Sequence, residues 1–242
     1  MLLSFIEKYP FLLAFILGLV PALIWLWFWL KEDLHPEPPK MITLAFLGGM
    51  IAVGVVLPLQ KLVYNHVDPS DQFTSFTLWA AIEEICKFTF VWFIALRNKK
   101  IADEPVDDMI YLIVSALGFV TFENTLFLLD PIQHGNIFGT IINSNLRFIG
   151  ASLLHTMSSA TIGICMALSF YKPVLSRRIY IAWGILIAIV LHTAFNLFIL
   201  KGAEENIFFI FGMVWLSIIV LLLLFEKVKH LRKIQTLPIS RN

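Results

Sequence analysis

Residues 78–96 read L-W-A-A-I-E-E-I-C-K-F-T-F-V-W-F-I-A-L, an apolar stretch of membrane-helix length interrupted by Glu83, Glu84 and Lys87. A charged side chain in the middle of a bilayer helix costs about 2.5–3.5 kcal/mol, so such residues commonly mark chemistry, a partner or a pathway. At helical spacing both glutamates lie near Lys87, at i, i+4 and i, i+3, and one of them can pair with its ammonium group. The other carboxylate is left over, and it is the first candidate for chemistry.

The composition indicates an integral membrane protein. Of the 242 residues, 59% are hydrophobic and only 14% are charged, whereas about 25% of the residues in a soluble domain are charged. The formal net charge of +1 argues against a nucleic-acid-binding protein, which would need a basic surface. Cys86 and Cys165 lie in apolar segments and are expected to be small core residues rather than a disulfide framework.

Seven apolar stretches are each near the roughly 20 residues that a helix needs to cross a bilayer. They are approximately residues 5–30, 41–64, 76–96, 110–129, 147–171, 179–200 and 207–225. The connections between them are short, which predicts an all-α, polytopic protein with a single membrane-embedded domain over residues 1–242. A four-helix catalytic core is expected within approximately residues 73–200.

The distribution of Lys and Arg predicts the orientation in the cell membrane. One set of helix ends carries most of them, namely Lys31, Lys40, Arg97, Lys99, Lys100, Lys172, Arg177, Arg178, Lys227, Lys229, Arg232, Lys233 and Arg241. The opposite ends carry Lys8, Lys61, Arg147 and Lys201. By the positive-inside rule the first set faces the cytoplasm, so the N-terminus is expected outside and the C-terminus inside.

Ionisable and polar groups in four consecutive spans fall at a similar depth. They are Glu83 and Glu84 in span three, Glu123 and Asn124 in span four, His155 in span five, and His192 and Asn196 in span six. Counted from the outer ends, Glu83, Glu123, His155 and His192 lie roughly 9–12 Å deep. Scattered polar residues would not share a depth, so we expect one constellation. Spans one, two and seven are apolar through their middles and are expected to be lipid-facing scaffold.

This set of side chains suits hydrolysis of a carbonyl substrate by either of two routes. A glutamate can deprotonate water as a general base, while an imidazole or amide stabilises the oxyanion. Alternatively, Glu83, His155 and His192 can hold a zinc ion with water as its fourth ligand. The motifs H-E-x-x-H, G-x-S-x-G and the Walker A loop do not occur in the sequence.

The ordered motifs resemble those of PrsW-type intramembrane proteases, relatives of the type II CAAX prenyl endopeptidases. These motifs are Glu83-Glu84-x-x-Lys87, Phe119-x-x-x-Glu123-Asn124, His155 and His192-x-x-x-Asn196. The loop Asp33-Leu-His-Pro36-Glu37-Pro38 also resembles the family's D-x-x-x-P-E-P element. The resemblance covers residues 33–196 and implies an endopeptidase that cleaves a membrane-anchored protein near the outer face. The best-known role in the family is the first cut of an anti-sigma factor in envelope-stress signalling.

The residues and the resemblance together suggest a role for each side chain. We expect Glu83 to activate water with His155 as its partner, and His192 and Asn196 to stabilise the oxyanion. Glu84 would pair with Lys87 or share the water. Supporting positions are expected at Phe119, Glu123 and Asn124.

The expected partners are the lipid bilayer and a single-span membrane protein as substrate, with no nucleic acid. Zinc is the candidate cofactor of the metal route, and the glutamate-activated water route needs none. Two other functions use the same buried Glu and His set. One is a proton- or cation-coupled transporter, and the other is a non-catalytic membrane scaffold like Aph-1.

Overall fold

The computed structural model describes residues 9–135, 137–202 and 207–231. Within these ranges it contains seven α-helices and no β-strand. The helices are α1 (Pro10–Glu32), α2 (Pro39–His66), α3 (Gln72–Val91), α4 (Pro105–Gln133), α5 (Ile137–Leu168), α6 (Val174–Gly202) and α7 (Ile207–Lys229). A π-helical turn, Trp92–Leu96, continues α3. The predicted all-α class is confirmed, while residues 5–8 of the first predicted span lie outside the described residues.

Side chains that cap the helices set their first residues. The Asp71 carboxylate accepts the Thr74 backbone N–H at 3.0 Å and so begins α3. At α4, Asp107 Oδ2 accepts the backbone N–H of Glu104 at 2.7 Å within a capping box. Such bonds satisfy N–H groups that the first helical turn leaves unpaired. The cap at α4 explains why that helix begins at Pro105, five residues before the predicted span.

Within the described residues, five helical stretches are long and apolar enough to cross a membrane. They are Pro10–Glu32, Pro39–His66, Pro105–Gln133, Gly150–Leu168 and Val174–Phe198. The chain is therefore a multi-pass membrane protein. Helix α3 does not belong to this set, because Glu83, Glu84 and Lys87 interrupt its apolar sequence.

Helices α4 and α5 occupy the centre of the bundle. In each, 72% of the apolar stretch is buried, against 17% in α1. Helices α2 and α4 touch through their backbones, since a Cβ on Gly49 would lie 1.9 Å from the Ser115 carbonyl oxygen. A Cβ on Gly118 would lie equally close, 1.9 Å, to the Phe46 carbonyl oxygen. Small residues allow this approach between membrane helices, and it fixes α2 beside the helix that carries Phe119 and Glu123.

Candidate active site

A cavity of about 570 Å³ lies among helices α2 to α6. Most of its wall is aliphatic or aromatic. The polar side chains in the wall are Gln60, Glu83, Glu123, His155, His192 and Asn196. An apolar cavity with a few convergent polar groups is the usual form of a small-molecule or peptide site. The polar layer predicted from spans three to six is therefore present, with one residue of α2 added to it.

Glu84 is fully engaged with neighbouring side chains. Lys87 Nζ donates to Glu84 Oε1 at 2.6 Å, and neither side chain is exposed. Ser159 Oγ donates to Oε2 at 3.1 Å. His192 Nδ1 lies 2.8 Å from Oε1, and it donates there because a carboxylate only accepts. In a neutral His192 ring the proton is therefore on Nδ1, and Nε2 is the nitrogen that can accept or bind a metal.

Glu83, the adjacent residue, has one satisfied oxygen and one orphaned oxygen. Gln60 Nε2 donates to Glu83 Oε1 at 2.7 Å. Oε2 is buried and has no hydrogen-bond partner among the described residues. It lies 3.6 Å from His192 Nε2 and 3.9 Å from His155 Nδ1. Because a buried unpaired acceptor is costly, this oxygen marks the place where a proton, water or metal would be bound.

The His155 ring is fixed by contacts to three side chains. Lys87 Nζ lies 3.1 Å from Nδ1, and Glu123 Oε2 lies 3.2 Å from Nε2. The Phe119 ring centroid is 5.3 Å away. An ammonium group can only donate, so Nδ1 accepts and Nε2–H donates to Glu123. The rings of His155 and His192 stand nearly perpendicular, at 87° and 5.0 Å between centroids.

Glu83, His155 and His192 form a possible metal site. Each offers one ligand atom, and these atoms all lie within 4.8 Å of one another. All three residues are buried, with 5%, 2% and 2% of their surface exposed. Two histidines and one carboxylate are a common ligand set of catalytic zinc.

Comparison with known proteins decides the family. Residues 37–224 match the family described as PrsW family intramembrane metalloprotease. The chain belongs to the PrsW family. Proteases named Protease PrsW are similar over most of their length. The relative from Geobacillus kaustophilus is 28% identical over 206 residues, covering 83% of this chain and 85% of the relative.

Two further relatives give the same result. The Bacillus subtilis Protease PrsW is 24% identical, covering 79% of this chain and 84% of its own. The Protease PrsW of Clostridioides difficile is 27% identical, and the match covers 75% of this chain and 77% of the relative. No solved structure matches the chain. As a PrsW protein the chain is a protease, which favours that prediction over the transporter and the scaffold.

The remaining predicted residues of this PrsW protein lie around the same cavity. Asn196 is in the cavity wall, one helical turn after His192. Phe119 is in the wall too, with Lys87 Nζ 5.1 Å from its ring centroid. Asn124 is buried, with 2% of its surface exposed, and it is not among the residues that line the cavity.

Sequence reasoning missed Gln60 and Ser159, and it was wrong to place span two among the lipid-facing scaffold. Helix α2 lines the cavity with Gln60 and with the apolar Val53 and Val56. The available signal was weak, because Gln60 is one uncharged residue between the apolar residues 55–59 and Lys61.

The proline-rich loop after α1 lies at the beginning of α4 and not in the cavity wall. The Tyr111 hydroxyl donates to Glu37 Oε2, and His35 Nδ1 lies 3.0 Å from Glu104 Oε2. Asp33 Oδ1 accepts the His35 backbone N–H at 3.1 Å, while burial raises the pKa of the Asp33 carboxyl. The loop therefore joins α1 and α2 to the start of the central helix.

Proposed function

We propose that this PrsW protein is a metal-dependent endopeptidase that cleaves a single-span membrane protein within the bilayer, near the extracytoplasmic side. One observation carries the proposal. The orphaned Glu83 Oε2 lies 3.6 Å from His192 Nε2 and 3.9 Å from His155 Nδ1, in the wall of an otherwise apolar cavity.

The separations of the two imidazole nitrogens from Glu83 Oε2 suit a shared metal ion. Zinc ligands at about 2.1 Å in a tetrahedral arrangement stand roughly 3.4 Å apart, close to the observed separations from Glu83 Oε2. His155 Nδ1 would exchange its hydrogen bond from Lys87 for the metal, and Lys87 would keep its bond to Glu84. A zinc ion, when bound, lowers the pKa of its water to about 7 and polarises a carbonyl group.

The outer partners of the two histidines also fit a metal site. His192 donates from Nδ1 to Glu84, and His155 donates from Nε2 to Glu123. In both rings the nitrogen that faces Glu83 is thus the one without a proton. Histidine ligands commonly donate their second N–H to a carboxylate, which fixes the tautomer and raises the basicity of the ligand.

Other residues of the cavity would serve the peptide. Asn196 would donate an amide N–H to the developing oxyanion, a contact that stabilises the transition state more than the ground state. The apolar wall would hold the hydrophobic side chains of a membrane segment. Backbone carbonyls of an intact helix are tied into internal hydrogen bonds, so the scissile peptide would have to be extended.

The side of cleavage and the class of substrate rest on sequence arguments. Gln60 lies in the last two turns of α2, which ends at His66, and the positive-inside rule assigns the loop that follows to the outside. The resemblance to PrsW-type proteases supports an anti-sigma factor with one membrane span as the substrate. This protein would make the first cut in it.

The test is metal analysis and cleavage by the same preparation. Protein purified into lipid nanodiscs would be analysed for bound metal, then assayed on single-span substrates before and after chelation and after zinc is added back. Zinc bound much more weakly by Glu83→Gln than by the wild type, with activity that chelation removes and zinc restores, supports the proposal. Full activity of metal-free wild type overturns it in favour of water activated directly by Glu83.

A further inference from the structure

We propose that Gln60 is a positioning residue for the proposed reaction. It holds the Glu83 carboxylate by one oxygen, so that the other oxygen faces the two histidines. The inference rests on the proposed function only in taking Glu83 as the ligand or base. It adds a residue from α2, a helix outside the predicted four-helix core.

The contact between Gln60 and Glu83 is a well-formed hydrogen bond between two helices. Gln60 Nε2 lies 2.7 Å from Glu83 Oε1, and an ionised carboxylate can only accept, so the amide donates. A polar side chain in a bilayer helix is costly unless it is hydrogen-bonded. Gln60 follows the apolar residues V-V-L-P-L at 55–59 and precedes Lys61, and Glu83 Oε1 accepts a hydrogen bond from its amide.

The two adjacent glutamates differ in how firmly they are held. Glu84 accepts from Lys87, Ser159 and His192. Glu83 accepts from Gln60 at Oε1, and its Oε2 has no hydrogen-bond partner in the described part of the chain. The terminal torsion of a glutamate is soft, so the orientation of Oε2 toward the histidines depends on the oxygen that Gln60 holds.

Gln60→Met tests this dependence, because Met is unbranched, of similar length, and has no N–H to donate. Losing an outer partner of a metal ligand typically costs about 10–100-fold in metal affinity or activity. We expect a loss of that size in kcat and in zinc affinity, with KM little changed. Leu59→Met, the same replacement at the neighbouring, exposed position of α2, is the matched control and should behave as wild type.

A double-mutant cycle shows whether Gln60 acts through Glu83. In a Glu83→Gln background, Gln60→Met should lower zinc affinity no further, since the carboxylate that it orients is gone. An equal additional loss in that background overturns the inference. So does a change confined to KM, which would indicate a substrate contact instead.

Controls separate folding and the proposed function from the inference. Gln60→Leu also removes the amide and adds no donor or charge, and the same losses are expected from it if Gln60→Met does not fold. Wild-type kcat and zinc affinity in a folded Gln60 variant overturn the inference alone. Wild-type zinc content and activity in Glu83→Gln would instead overturn the proposed function.

Discussion

Lys87 Nζ lies 2.6 Å from Glu84 Oε1, and both side chains are fully buried. This pairing makes the neighbouring glutamates unequal, because it neutralises Glu84 and leaves Glu83 facing the cavity. The desolvation of such a pair offsets much of its attraction, but removing one partner strands a buried charge. The pair therefore matters for the fold as well as for the orientation of His192.

Lys87→Met should destabilise the protein by about 3–5 kcal/mol, because Glu84 then remains buried without its cation. The double variant Glu84→Met/Lys87→Met should recover much of that stability. It should nevertheless stay inactive, since His192 Nδ1 has lost its acceptor. Thermal unfolding in detergent and a cleavage assay measure the two effects. An active double variant would contradict the orienting role of Glu84.

The two glutamates should respond differently to removal of their charge. Glu83→Gln is nearly isosteric and should abolish cleavage, by about 10²–10⁴-fold or more, while the protein stays folded. Glu84→Gln keeps a carbonyl acceptor for His192 and should cost roughly 10–100-fold. Rate constants with one substrate decide the matter. A larger loss in Glu84→Gln would make Glu84 the reactive carboxylate and Glu83 the orienting one. Full activity in both variants would contradict a catalytic role for either glutamate.

His192 and Asn196 lie one helical turn apart but should fail in different ways. His192→Ala should lose both bound metal and activity. Asn196→Ala should keep the metal and lose about 10²–10³ in kcat, or roughly 2.7–4 kcal/mol, as expected for one oxyanion donor. Metal content measured beside kcat and KM separates the two residues. Equal metal loss in both variants would argue that Asn196 supports the ligand set instead.

The orientation can be tested with reporters at two positions. A reporter fused after Asn242, which lies outside the described residues, should be cytoplasmic. One inserted in the loop at 68–71 should be external. The basis is the excess of Lys and Arg on one side. An external C-terminal reporter would reverse the topology, and the cleavage side with it.

Asp33→Asn should raise stability at neutral pH and flatten its pH dependence. Burial raises the pKa of Asp33, so the folded state holds its proton more tightly than the unfolded state. The resulting stabilisation is present below the ordinary carboxyl range near pH 4 and is lost as the pH rises through the raised pKa. Unfolding temperatures of both proteins, followed from about pH 3, below the ordinary carboxyl range, up to about pH 7, measure the difference.

Asp68 is a control of opposite sign. Its pKa is lowered by the hydrogen bond from the Ser70 backbone N–H, so its contribution is present at neutral pH and is lost as the pH falls through the lowered value. The difference between wild type and Asp68→Asn should therefore shrink on acidification. Parallel behaviour of Asp33→Asn and Asp68→Asn would contradict the assignment for Asp33.

The sequence predicted that polar side chains of α3 to α6 meet in one layer. It did not predict which side chains contact one another between helices. The rise of an α-helix is fixed, so counting residues was enough to bring Glu83, Glu123, His155 and His192 into one layer. The sequence did not decide which glutamate pairs with Lys87, because i, i+3 and i, i+4 neighbours are equally near. The structure resolves this through His192 and Ser159, which both donate to Glu84.

The contribution of α2 to the cavity wall could not be derived from the local sequence pattern. Gln60 and Lys61 end an apolar run, and this pattern does not show whether Gln60 faces lipid or protein. Its orientation is decided by the backbone contact between α2 and α4 at Gly49 and Gly118. That contact joins residues far apart in the sequence, which is why the sequence alone did not reveal it.

The same glycine contact fixes the first half of α2 against α4 and leaves the second half less tightly packed. Before Gly54 the helix is pressed against α4, whereas residues 57–66 are exposed or half-buried throughout. Pro58 has no N–H to give to the Gly54 carbonyl, and a Cβ on Gly54 would meet nothing within 4 Å. Bending there breaks no backbone hydrogen bond to the Gly54 carbonyl, but it carries Gln60 away from Glu83 Oε1, so the shape of the outer cavity wall and the position of the Glu83 carboxylate change together.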